Sequence, residues 1–209
     1  LDTARLDAQV LLRHVLDVDQ AYLLTHPEQE LSKAQVQQYT RYVQRRASAE
    51  PIAYIVGSVG FYDREFVVTS DVLIPRPETE HLLEAALAFA SGKSGLQAAD
   101  IGTGSGALAV TFAARTPDAT VYAADISEAA LAVAQQNAAR YGLQNITFVI
   151  SDLSDALLAQ GVQLDLLLAN LPYIRSAELP RLEVSKHEPN LSLDGGDDGL
   201  DLVRRLLAQ

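Results

Sequence analysis

The tetrad Asn170-Leu171-Pro172-Tyr173 directly follows an apolar run, residues 164–169, and about seventy residues before it lies a glycine-rich turn at residues 102–106. A buried strand that ends in an amide, a rigid proline and an aromatic ring presents acceptors to an NH2 group and a flat surface for stacking. The acceptors are the Asn170 side-chain oxygen and the Leu171 backbone carbonyl; Pro172 stiffens the turn and Tyr173 stacks. In a carboxamide or an aminopurine the nitrogen lone pair is delocalised into the π system. Holding both N–H groups on acceptors favours a localised lone pair and aims it at an electrophile. The chemistry that fits Asn170, Pro172 and Tyr173 as catalytic residues is methyl transfer to a planar, weakly nucleophilic nitrogen, with residues 170–173 binding the acceptor. A strong base is unnecessary, because the proton can leave after the methyl has moved. Taken alone, such a tetrad is also an ordinary strand-ending turn with proline as breaker. That reading does not explain its coincidence with a cofactor loop.

Asp100-Ile101-Gly102-Thr103-Gly104-Ser105-Gly106 sits where a strand turns into a helix, and glycines there let a ligand approach the backbone and the helix N-terminus. Asp125 ends the next strand, nineteen residues beyond Gly106, where an acid accepts both hydroxyls of an adenosine ribose. Asp152, after the third strand, is placed to accept from an adenine amino group, with Leu153 beside it. The third glycine comes one residue too early for the dinucleotide fingerprint. The compact form preceded by Asp100 resembles the S-adenosylmethionine loop of class I methyltransferases. An NAD dehydrogenase would need an acid-base group near the nicotinamide, and His14, His26, His81 and His187 read as surface or packing histidines. No metal is expected, since no His and carboxylate cluster has ligand spacing.

These side chains need elements to hold them. Residues 1–50 read as a helical domain: Leu6, Val10, Leu11, His14 and Val15 fall on one face, and Ser32 with Gln35 signals a second helix start. Arg41, Arg45 and Arg46 read as a solvated helix face. Residues 51–75 read as a linking β-hairpin, with β-prone pieces at 53–56 and 66–69. Two prolines, Pro75 and Pro77, then precede a helical stripe of Leu82, Leu83, Ala86 and Phe89. From residue 76 to 209 strand and helix alternate: strands at 97–101, 120–124, 146–150 and 164–169, helices at 107–115 and 128–141. Alternation of this kind implies a mostly parallel, Rossmann-like α/β sheet with helices on both faces. The run at 164–169 reads as an interior strand covered on both sides.

A chain of 209 residues that is 48% hydrophobic and 21% charged is an ordinary globular composition. The net charge of −11 disfavours a broad phosphate-binding face and direct nucleic-acid binding. With no cysteine there are no disulfides, no thiolate catalysis and no sulfur-ligated zinc. No apolar run reaches membrane-spanning length, so the expected place of work is the cytoplasm. The chain has no methionine and its last residues read as helix, so both ends are expected to continue.

The chain resembles the protein-glutamine N5-methyltransferases that modify peptide chain release factors, the PrmC or HemK group. The resemblance is carried by the helical start, Gly60-Phe61-Tyr62, Leu73-Ile74-Pro75-Arg76-Pro77-Glu78-Thr79-Glu80, the loop at 100–107, Glu188-Pro189, and Gly195-Gly196-Asp197-Asp198-Gly199-Leu200. It implies a class I methyltransferase domain over 76–209 that is C-terminally incomplete, with further strands beyond residue 209. It also implies S-adenosylmethionine as cofactor, S-adenosylhomocysteine as product, and contacts to it from Asp100, residues 102–106, Asp125, Asp152, Leu153 and Asn170. The implied acceptor is the glutamine of a release factor's Gly-Gly-Gln tip, held at Asn170 and the residues after it, with the N-terminal helices docking the rest of that partner. Leu171 departs from the usual Asn-Pro-Pro-Tyr. Asn-Leu-Pro-Tyr is also carried by adenine N6-dimethyltransferases of ribosomal RNA, so adenine methylation is the first alternative. A cofactor- or release-factor-binding module without activity is the second.

Overall fold

A computed structural model describes residues 3–209, and its internal contacts divide the chain into two units, Leu1–Gly57 and Ser58–Gln209. The first unit holds α1 (Ala4–Leu16), α2 (Gln20–Thr25), α3 (Lys33–Ala47) and α4 (Ile52–Val56). Helix α3 opens with a reciprocal capping box between Ser32 and Gln35, which satisfies two N–H groups that a helix start leaves without partners. Of the expected apolar stripe on α1, Leu11 is buried while Leu6 is 54% exposed. The inward side of α1 also carries Asp7, whose carboxylate accepts from Arg46 Nε of α3 at 2.7 Å. Arg46 therefore leaves the solvated face expected for it, and Arg45 folds back onto Glu50. The β-prone piece at 53–56 is helical. Pro51 presets the backbone of its first turn, and Gly57, at φ 80, ends it in the left-handed conformation.

The second unit opens with a hairpin of β1 (Ser58–Phe61) and β2 (Arg64–Val67), paired antiparallel from Phe61 and Arg64 outward. Its second strand starts two residues earlier than the 66–69 reading. Phe61 and Phe66 meet edge to face at 6.0 Å and enter the main core. Then follow α5 (Thr79–Ala90), β3 (Gln97–Ile101), α6 (Ala107–Arg115), β4 (Thr120–Asp125), α7 (Glu128–Arg140), β5 (Ile146–Ile150), α8 (Asp155–Ala159), β6 (Leu166–Ala169) and α9 (Asp201–Leu207). The four later strands are parallel in the order β5-β4-β3-β6.

Side-chain alternation along β3 and β4 separates two cores. Ala98, Val121 and Ala123 pack with Leu83, Ala86, Phe112 and Ala138 of the helices on one face. Ala99, Ile101 and Ala124 pack on the other with Leu157 of α8 and with Leu202 and Leu206 of α9. The run at 164–169 is shorter as a strand and lies at the edge of this sheet, paired on one side only, to β3. Leu167 is 42% exposed, the open apolar edge expected of a sheet that ends at this strand. Among the described residues no helix is long and apolar enough to cross a membrane.

Candidate active site

The carboxyl ends of β3, β4, β5 and β6 point to one side of the sheet, where ligands of open parallel sheets bind. A cavity of about 400 Å³ opens there, lined by Asp100, Gly102, Thr103, Gly104 and Ser105 after β3, Asp125 after β4, Asp152 and Leu153 after β5, and Asn170, Leu171 and Pro172 after β6. Gly106 is the residue before α6, at φ 80, and a Cβ there would lie 3.0 Å from that of Ala134 on α7. Only glycine gives both that backbone turn and that close helix approach. Asp125 anchors the turn from the next strand: its Oδ2 accepts from Gly104 N at 2.8 Å and its Oδ1 from Ser127 N at 2.9 Å. Each oxygen keeps a second lone pair for a ligand hydroxyl.

Asp100 is buried, and its Oδ2 accepts from the Thr103 hydroxyl at 2.7 Å and from Ala109 N at 3.2 Å. Desolvation pushes its carboxyl up to about 6, with the nearby Asp125 charge adding to the rise and those two hydrogen bonds opposing it. Its strongest contacts hold the loop to the start of α6. Asp152 forms an ion pair with Arg205 of α9 through Oδ2 at 2.6 Å, leaving Oδ1 for a ligand. Leu153 takes a left-handed backbone, φ 52, uncommon for a branched side chain, and its apolar side chain is buried against Ile101 and Ala124.

Asn170 lies at a junction. It lines the cofactor-side cavity and also a second cavity of about 460 Å³, shared with Leu171, Tyr173, Thr79, Arg76 and Glu78. Its Nδ2 donates to the Thr79 hydroxyl at 3.2 Å. The tetrad is buttressed from behind by the segment at 195–199. A Cβ on Gly195 would come within 2.7 Å of the Pro172 carbonyl oxygen and of the Tyr173 Cα, while Gly195 N donates to Ile174 O at 2.8 Å. The proline-rich segment is held by Glu188, which is buried and accepts from Ile74 N at 3.2 Å and from Arg76 Nη2 at 2.5 Å.

The family model described as the PrmC N-terminal domain matches residues 1–57, and one described as a methyltransferase domain matches residues 92–191. A release factor glutamine methyltransferase of Koribacter versatilis is 43% identical over 207 residues, spanning 98% of this chain and 73% of that protein. The chain belongs to the release factor glutamine methyltransferase family. Proteins of the same name from Xylella fastidiosa and Moorella thermoacetica are 42% and 43% identical, over 98% and 99% of this chain and 74% and 73% of theirs. A solved methyltransferase from Agrobacterium tumefaciens superposes on 55% of this chain and 39% of its own at 20% identity, with a TM-score of 0.47. The second unit has the class I methyltransferase fold, preceded by a helical N-terminus.

Within this release factor glutamine methyltransferase family member, the residues singled out from sequence as site residues line the two cavities except Gly106, which lies against Ala134 of α7. Tyr173 is 69% exposed and lines only the second cavity. Sequence reasoning passed over Ile126, which follows Asp125 at the cavity rim and is 51% exposed, and Leu202 and Arg205 of α9, which close the far side. Adjacency to Asp125 was a signal for the first; nothing local marks the other two. Thr79 and Glu188 stood in motifs of the resemblance, yet their partners lie 91 and 114 residues away.

Proposed function

We propose that this protein transfers a methyl group from S-adenosylmethionine to the side-chain amide nitrogen of the glutamine in the Gly-Gly-Gln tip of peptide chain release factors. The observation that carries the reading is Asn170 at the junction of the two cavities, with its carboxamide oxygen without a hydrogen-bond partner among the described residues. The first cavity fits the cofactor in chemistry. Carboxylate acceptors, Asp125 and Asp152, follow successive strands, a glycine turn admits a ligand to the backbone, and Leu153, Ile126 and Leu202 offer apolar surface for a purine. When bound, the cofactor supplies an electrophilic methyl on a sulfonium. Asp125 and the glycine turn would orient it, and Asn170 would sit between it and the acceptor.

In the second cavity Asn170 Oδ1 and the Leu171 carbonyl accept the two N–H groups of the glutamine amide. Pro172 limits the freedom of that carbonyl. With both protons held, the nitrogen lone pair turns out of the amide plane toward the cofactor side, and positive charge growing on nitrogen is stabilised by the same two oxygens. An N-protonated amide is a strong acid, so the proton then passes to water. Tyr173, on the open side, covers the glutamine stem or its glycine neighbours. The helical unit at 1–57, which matches the PrmC N-terminal domain, is assigned to docking the release factor, and such a substrate places the work in the cytoplasm.

Radiolabelled cofactor incubated with the protein and either a release factor or ribosomal RNA tests this reading. Label on the release factor, lost when its Gly-Gly-Gln glutamine is replaced, is the expected result. Label in RNA alone overturns it.

A further inference from the structure

We infer that Thr79 is a positioning residue that holds the Asn170 carboxamide with its oxygen toward the acceptor. The inference rests on the proposed function and deepens it. An asparagine side chain has an accepting end and a donating end of nearly equal size, and a half-turn exchanges them at little steric cost. An incoming NH2 group needs the accepting end, so productive binding requires Nδ2 to be directed elsewhere. Thr79 Oγ1 receives it at 3.2 Å, and this is the hydrogen bond that the Asn170 side chain makes among the described residues. The reversed arrangement, with the threonine hydroxyl donating, would meet the acceptor's N–H groups with N–H groups and gain nothing. Donation from Nδ2 also enriches Oδ1 in electron density, since hydrogen bonds in series polarise one another.

The local structure prepares Thr79 for this task. It is the first residue of α5, and the hydrogen bond its hydroxyl makes among the described residues is the one from Asn170 Nδ2, not one to the helix start. Its branched side chain is stiff at χ1. The backbone leading to it passes through Pro75 and Pro77 and is clamped by Glu188 at Ile74 N and at the Arg76 guanidinium. Thr79 thus belongs to a wall fixed independently of the 170–173 loop.

Thr79→Val keeps shape and removes the hydroxyl; Thr79→Ser restores the hydroxyl without the methyl. With a release factor as substrate, T79V is expected to lower kcat about tenfold to a hundredfold, with cofactor Kd changed by less than about twofold, and T79S to stay within about threefold of wild type. A readout without substrate accompanies these rates. The Asn170 side-chain amide pair, assigned in a 15N spectrum by its loss in Asn170→Asp, should shift in T79V and hold its position in T79S. Should T79V lower the melting temperature markedly, Thr79→Ala serves as the variant lacking a hydroxyl. Wild-type kcat in T79V, a T79S variant as slow as T79V, or an Asn170 amide pair insensitive to T79V each overturns the inference. A wild-type protein that leaves release factors unlabelled yet shows the Thr79-dependent amide shift overturns only the functional reading.

Discussion

Asp100 takes both of its hydrogen bonds on one oxygen, from Thr103 and Ala109, in a site almost closed to water. Its carboxyl, pushed up to about 6, is easier to bury protonated than charged. A raised folded-state value means that the stabilising contribution is complete below the unfolded value near 4 and is lost as pH rises through about 6. Across that window the loss is about 3 kcal/mol. Asp100→Asn keeps one oxygen for both donors and has no proton to lose. Urea denaturation at pH 4, 5, 6 and 7 should therefore show wild type losing about 3 kcal/mol relative to the variant, and parallel stability curves would refute the assignment. At the acceptor, Asn170→Ala is expected to reduce single-turnover methylation by roughly two to three powers of ten while cofactor affinity measured by calorimetry stays nearly intact. Asp125→Ala should do the opposite, raising the cofactor dissociation constant most, because it removes the ligand acceptor and also frees Gly104 N and Ser127 N. Chemistry at this scale was largely legible in sequence, since amide, acid and glycine types declare what they can bind. The direction each side chain takes was not: Asp100 serves its own loop, Tyr173 faces outward, and Asn170 leans on a residue 91 positions away.

Among the elements, the contact between α6 and α7 carries the tightest demand. Gly106→Ala would force an alanine into the left-handed region and drive its Cβ to 3.0 Å from that of Ala134, at a cost of roughly 3 kcal/mol. Ala134→Gly in the same chain should recover the Cβ–Cβ part of the contact and leave the backbone part and the 3.2 Å approaches to Ala134 Cα and Val110 Cγ2, so thermal melts of the two single variants and the double variant will be non-additive. Additive melting shifts would mean that the helices do not meet at this point. The later strands and helices were readable because their apolar runs are bounded by glycines, polar caps and acids at strand ends. Helix α4 was not. Its isoleucines and valine favour strands by type, and the turn is imposed by Pro51 before it and Gly57 after it, together with packing on α1 and α3.

For the molecule as a whole, the division of its internal contacts into two units predicts that one melting temperature does not describe it. Asp7→Ala leaves Arg46 without its carboxylate in the helical unit and should destabilise that unit by about 2–3 kcal/mol. Hydrogen exchange should place the lost protection within residues 3–57 and leave the sheet unchanged; equal loss in β3 and β4 would show a single cooperative body. The Glu188 clamp also has a meaning in time. During synthesis the chain emerges from its N-terminus; the glycine turn, Asp125 and Asp152 are all available once residue 153 has left the ribosome. The wall that carries Thr79 receives its fastener only when residue 188 follows, 114 positions after the Ile74 amide that it holds. A nascent chain stalled between those points would carry the glycine turn and the two acids, while Leu202 and Arg205, which line the same cavity, were still to come and its acceptor wall was unfastened, so competence for methyl transfer is a late event in the protein's biosynthesis.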